Sequence, residues 1–179
     1  MSTLADTETD RLRLERWDHD AHASRLAEVN ADPEVCRFVG DGTAVPRAES
    51  DELSARIAWH WEHYGFGLWA AVVKESGAMI GFAGLCHPLW FPEMAERVEV
   101  GWRLRRDAWG HGYATEGGRA ALQAGFGTLG LAEVVAFVHP ANERSLAVTR
   151  RLGMAEEAEL QHPARDHTVK ILRIACSTS

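Results

Sequence analysis

The stretch from Val98 to Leu129 constrains this chain more than any other. Val98-Glu99-Val100-Gly101-Trp102-Arg103-Leu104 alternates, with Val98, Val100, Trp102 and Leu104 on one face, and so reads as a strand. A short polar turn follows, then a run of small and apolar residues, Tyr113 to Leu129, of helical length. Gly110 and Gly112 stand where that helix begins. The first turn of a helix offers unpaired N–H groups and the positive end of its dipole. Glycines there let an anion approach the backbone, which points to a phosphate or diphosphate held by main chain. Ala114, Gly117, Gly118, Ala120, Ala121, Ala124 and Gly125 let the helix lie close on a sheet.

A second unit repeats the scheme. Glu133 to Val138 reads as a strand, His139-Pro140-Ala141 ends it, and Asn142-Glu143-Arg144-Ser145 opens a helix. That helix stops at Leu152-Gly153-Met154, a glycine C-cap signal.

Trp109-Gly110-His111-Gly112-Tyr113-Ala114 resembles the acyl-CoA-binding signature of GCN5-related N-acetyltransferases (GNAT). Asn142-x-x-Ser145 followed by Leu152-Gly153-Met154 resembles the second signature of the branch holding the ribosomal-protein N-terminal (alanine/serine) acetyltransferases. The resemblance spans about Arg11 to Ile174. The chain departs from the family pattern at its first position and at Arg106, where proline is common, but neither change removes a backbone N–H.

The resemblance implies an α+β fold, a mixed and mostly antiparallel sheet with a central splayed parallel pair, flanked by helices. It implies acetyl-CoA as co-substrate. The pantetheine arm would pair with Trp102, Arg103 and Leu104 like an added strand. The diphosphate would rest on Trp109, Gly110, His111, Gly112, Tyr113, Ala114 and Thr115, and an N–H near Leu104 would polarise the thioester carbonyl.

Acetyl transfer to an amine needs a neutral nitrogen, a stabilised oxyanion and a leaving thiolate that can be solvated or protonated. Ser145 is the candidate beside the thiolate, or else bonds the backbone at a helix start. Glu99 is the candidate base, or else an exposed strand residue, or an acid that attracts the cationic amine without taking its proton. Asn142 is expected on the pantetheine arm, a role compatible with capping its helix. His111 reads as exposed, His87 and His139 as structural. His60 and His63 lack the full H-E-x-x-H metal pattern, and no metal site is expected.

The 179 residues suit one domain, here residues 10–179, preceded by a polar stretch 1–9 expected to be disordered. A net charge of −7 argues against a nucleic-acid partner and mildly favours a cationic substrate such as an amine, and the resemblance implies a small-molecule or peptide amine. Cys36, Cys86 and Cys176 are scattered, so neither a disulfide framework nor a zinc site is indicated. No apolar run approaches membrane-spanning length, and a cytoplasmic location is expected. A homodimer through the outer strands is left open. The competing functions are a non-catalytic CoA-binding or sensor module of the same fold, and a dinucleotide-binding domain. The latter fails because Thr115 stands at the third glycine position of G-x-G-x-x-G and the acid, Glu133, begins the next strand.

The remaining elements read as follows. A strand runs from Arg11 to Trp17, a helix from Asp20 to Asn30 behind Asp18, and a short turn of helix from Asp32 to Phe38. A longer helix covers Arg47 to Tyr64, a hairpin joins Leu68–Lys74 to Ala78–Leu85, and two last strands cover Ala155–Leu160 and Thr168–Ala175.

Overall fold

A computed structural model describes residues 3–176. Eight strands form one sheet in the order β1-β2-β3-β4-β5-β6-β8-β7. They are β1 (Thr7–Glu8), β2 (Leu12–Glu15), β3 (Leu68–Val73), β4 (Met79–Cys86), β5 (Glu99–Leu104), β6 (Glu133–Val138), β7 (Ala155–Gln161) and β8 (Thr168–Ala175). Every neighbouring pair is antiparallel except β5 with β6. The helices are α1 (His19–Asn30), α2 (Pro33–Cys36), α3 (Arg47–Tyr64), α4 (Tyr113–Gly127) and α5 (Glu143–Arg151). The expected order of elements and the expected mixed sheet are both present.

Local chemistry sets the helix ends. The Asp18 carboxylate accepts the Ala21 N–H at 2.8 Å and starts α1. Pro33 opens α2 behind Asp32. Gly65, at φ 74°, closes α3 in a left-handed conformation.

Two helical layers cover the sheet. The α1–α3 layer packs over Phe82: Trp17 meets that ring edge-on, and its indole N–H donates to Ser54 of α3. On the opposite face α4 packs against β4, and a Cβ at Gly117 would lie 2.8 Å from the Ala83 Cβ. A Cβ at Gly118 would lie 2.9 Å from Leu152 Cδ1, so α5 sits in the same layer. The small residues of α4 are therefore the reason this helix can approach so closely.

One expectation is corrected. Residues 1–9 were expected to be disordered; Met1 and Ser2 lie outside the described residues, but residues 3–9 are placed. Thr7–Glu8 pairs with Arg13–Leu14, and Leu4 is buried, its N–H donating to Gly65 O at 2.8 Å. One apolar side chain in a polar tail gave no periodicity to read, yet it fills a gap in the core. The other shifts are at element ends: α2 stops at Cys36, α4 at Gly127, and β7 reaches Gln161.

Candidate active site

The parallel pair at the centre of the sheet opens. β4 and β5 pair along their whole length, from Gly81↔Leu104 to Cys86↔Glu99. β5 and β6 meet in one place, Glu99↔Val135, where the Val135 N–H donates to Val98 O at 3.0 Å. Beyond it the two strands part. The Arg105 N–H is bonded to Ile80 O of β4, and Val98 O faces β6. Backbone groups alternate between the two sides of a strand. The N–H and C=O groups of Val100, Trp102 and Leu104 therefore turn into the gap. Leu104 O is taken by the Trp109 indole N–H at 2.8 Å, which ties the next turn to the strand end. The remaining groups form a strand edge in mid-sheet, suited to an extended chain with amide groups of its own.

The glycine turn lies at the wide end of this gap. Gly110 and Gly112 have φ of 80° and 83°, a region that favours glycine. The first hydrogen bond of α4 runs from the Glu116 N–H to Gly112 O at 3.0 Å. The N–H groups of Tyr113, Ala114 and Thr115 precede it and have no partner within the helix. His111 is exposed, as expected, and its Nδ1 lies 2.9 Å from Trp109 O. The turn is clamped from outside by Arg11. That guanidinium donates to His111 O at 2.8 Å, pairs with Glu116 at 2.6 Å and lies over the Tyr113 ring. Arg144 covers the Trp109 ring at 4.5 Å. No local pattern in the sequence links Arg11 to a turn 100 residues away, so its part could not be read there.

At the narrow end stands Glu99. Its Oε1 accepts from the Cys86 thiol at 3.3 Å. Burial pushes the carboxyl up to about 7, against which the Cys86 thiol and the Trp90 indole pull it down. A carboxyl with that value can hold or release a proton near neutral pH. Burial and the adjacent Glu99 in turn hold the Cys86 thiol well above its usual range, so it stays protonated as a donor.

Asn142 caps α5, its Oδ1 accepting the Ser145 N–H at 3.2 Å. The amide NH2 of Asn142 and the hydroxyl of Ser145 make no hydrogen bond among the described residues. His87 and His139 have structural partners: His87 Nδ1 reaches the carbonyls of Ala95 and Arg97, and His139 Nδ1 accepts the Ala141 N–H. Among the described residues no group of three or more His, Cys, Asp or Glu is placed to hold a metal ion.

Arg103 differs from expectation. The ladder directs its backbone groups to β4, facing Phe82, and its side chain leaves on the Glu99 face of the sheet, donating to Asn30 Oδ1 at 2.7 Å. It does not line the gap as Trp102 and Leu104 do, because alternate residues of one strand point opposite ways. On the same side, a cleft of about 450 Å3 opens between Phe38–Gly42 and the turn at Arg165–His167, beside His139.

Comparison with known proteins agrees with this geometry. Residues 11–155 match the model of the acetyltransferase (GNAT) domain. The chain is 29% identical over 152 residues to the uncharacterized protein YkkB of Bacillus subtilis, covering 80% of this chain and 81% of that one. It is 31% identical over 147 residues to the FsC-acetyl coenzyme A-N(2)-transacetylase of Aspergillus fumigatus, covering 78% of this chain and 60% of that enzyme. A crystal structure of the acetyltransferase from Agrobacterium tumefaciens superimposes with a TM-score of 0.81 at 27% identity, covering 98% of this chain and 97% of that one.

Proposed function

The chain belongs to the GNAT acetyltransferase family and is an acyl-CoA-dependent acetyltransferase, and from that premise we propose that its acceptor is a primary amine. The observation that carries the reading is the mid-sheet gap ending at a carboxyl near neutrality. The amine is a protein N-terminal α-amine or a small-molecule amine. The finer branch, that of the ribosomal-protein N-terminal acetyltransferases, rests on Asn142-x-x-Ser145 and Leu152-Gly153-Met154 alone.

In this reading the arm of acetyl-CoA extends along β5 and its amides pair with Trp102. The diphosphate sits on the free N–H groups of Tyr113 to Thr115. The amine nitrogen attacks the thioester carbonyl carbon, and the N–C bond forms. Its surplus proton passes to Glu99, directly or through one water. An N–H at Leu104 stabilises the oxyanion. The C–S bond then breaks, and the thiolate leaves toward Ser145, in the first turn of α5, where hydroxyl and dipole both favour an anion. A free thiol has a pKa of about 8.5, so the leaving group needs little help. Asn142, its Oδ1 committed to the cap, offers its NH2 to the pantetheine arm.

The test is release of free thiol from acetyl-CoA with a panel of amines, beside the rise in melting temperature that CoA produces. No rise with CoA would sink the site. Ser145→Ala and Glu99→Gln should lower kcat with little change in CoA affinity. A non-catalytic CoA-binding module would bind acetyl-CoA without releasing thiol.

A further inference from the structure

Glu99, Gly101 and Arg103 alternate along β5 on the face covered by α1 to α3, and Arg103 is the unusual member. Its Nη1 donates to Asn30 Oδ1 at 2.7 Å, and its guanidinium lies 5.4 Å from the centre of the Phe82 ring. Asn30 is itself fixed, fully buried and donating to Ser50 at 2.9 Å. The guanidinium is thus held in one place by two rigid partners. No carboxylate of the described residues lies within 4.0 Å of it. Arg11, Arg13, Arg25, Arg37, Arg47, Arg97, Arg105, Arg106, Arg150 and Arg173 all have one. The others without a carboxylate are exposed, where water balances the charge; Arg103 alone among them is part-buried.

A part-buried cation without a counter-charge keeps a cost that a bound anion would relieve. The Nε and Nη2 edge of Arg103, the fork that fits an oxyanion, has no hydrogen-bond partner among the described residues. No buried side-chain nitrogen or oxygen among them is left unsatisfied, so that edge still meets solvent. Between Arg103 and Glu99 lies Gly101. A Cβ there would meet only Leu68 Cδ2 at 3.8 Å and Glu99 Oε1 at 4.0 Å, so the floor between the two charged groups is clear. The four-residue step from Glu99 to Arg103 spans about 13 Å along the strand. Cys36 lies close enough to feel the Arg103 charge, and Arg37 and Phe38, which follow it, line the cleft beside His139.

We propose that the acceptor carries an oxyanion, foremost a carboxylate, which the Nε–Nη2 edge of Arg103 grips while the amine lies beside Glu99. The acceptor is then an amino acid or similar amino-carboxylate rather than a plain amine. This rests on the amine-acetylating reading above. A guanidinium–carboxylate fork is bidentate and charge-assisted, which lysine cannot reproduce.

The experiment follows thiol release from acetyl-CoA with α-, β- and γ-amino acids against their carboxamides. Ethanolamine against phosphoethanolamine forms a second arm. In the wild type the best acid should exceed its amide by about tenfold or more in kcat/KM, mainly through KM. Arg103→Gln should erase most of that ratio, and Arg103→Lys should restore only part. Retention of the CoA-induced rise in melting temperature reports that each variant is folded. A preference seen with phosphoethanolamine alone assigns the edge to a phosphate and overturns the carboxylate. Acids no better than amides, or a preference that survives Arg103→Gln, overturns the anion site while amine acetylation stands. If no amine releases thiol, both ideas fall together.

Discussion

The Cys86 thiol lies 3.3 Å from Oε1 of Glu99 and donates to it across the β4–β5 ladder, where the two residues face each other. A weak donor therefore supports a carboxyl that burial has raised to about 7. The pair stands where β5 pairs with β6, at the closed end of the gap.

Two groups must lose protons if Glu99 is the base, the carboxyl near 7 and an amine near 8 for an N-terminal acceptor. The log of kcat/KM should then rise with slope two below pH 7 and slope one between 7 and 8. Glu99→Gln should show slope one throughout and lose about 10²-fold or more at pH 8. A slope of two in the variant would remove Glu99 from the proton path.

Stability should carry the same signature. The folded value of Glu99, about 7, exceeds the ordinary carboxyl value of 4.5, so the fold penalises the charged form. Wild-type stability is therefore lost as pH rises from about 4.5 through 7. Glu99→Gln escapes that loss, and should melt higher than wild type at pH 8 by a few degrees, roughly 2–4 °C per kcal/mol. The two proteins should converge at pH 4.5.

Cys86→Ala removes a donor that lowers the Glu99 value, so the acid limb of the rate profile should move to higher pH. Cys86→Ser keeps a donor and should leave the limb closer to wild type. The held-up thiol should also resist alkylation in the folded protein at pH 8, while the exposed Cys176 reacts.

Gly110→Ala separates strain from collision. No atom lies within 4 Å of the added Cβ, yet φ is 80°. The cost is that of the left-handed region, on the order of 1–2 kcal/mol. It should fall on the turn proposed to seat the diphosphate: the Kd of CoA should rise severalfold by calorimetry, with kcat changed less. An unchanged Kd would show that the turn does not seat the cofactor.

His60 Nδ1 donates to Phe66 O at 2.8 Å, and Nε2 accepts the His87 N–H at 2.9 Å, which fixes one neutral tautomer. Burial lowers its value from 6.5 to about 4. The unfolded chain takes up this proton first, so the stability His60 lends above pH 6.5 drains away as pH falls toward 4. His60→Gln should be less stable at pH 7.5 by about 1–3 kcal/mol, and should lack that share of the acid slope in urea melts.

The sequence alone determined the order of the elements and where the glycine turn at the start of α4 would be. Alternation at Val98–Leu104, the glycines at 110 and 112 and the cap at Asn142 are local features, and local geometry follows from them. Tertiary structure decided what depends on neighbours far apart in the chain. It parted β5 from β6, brought Arg11 to His111, raised Glu99 by packing, and sent Arg103 to Asn30 instead of the gap. Buried Leu4 was hidden for the same reason. Periodicity reports which face a residue takes, whereas charge state and partnership depend on which distant groups the fold brings to that face, and no spacing along the chain encodes them.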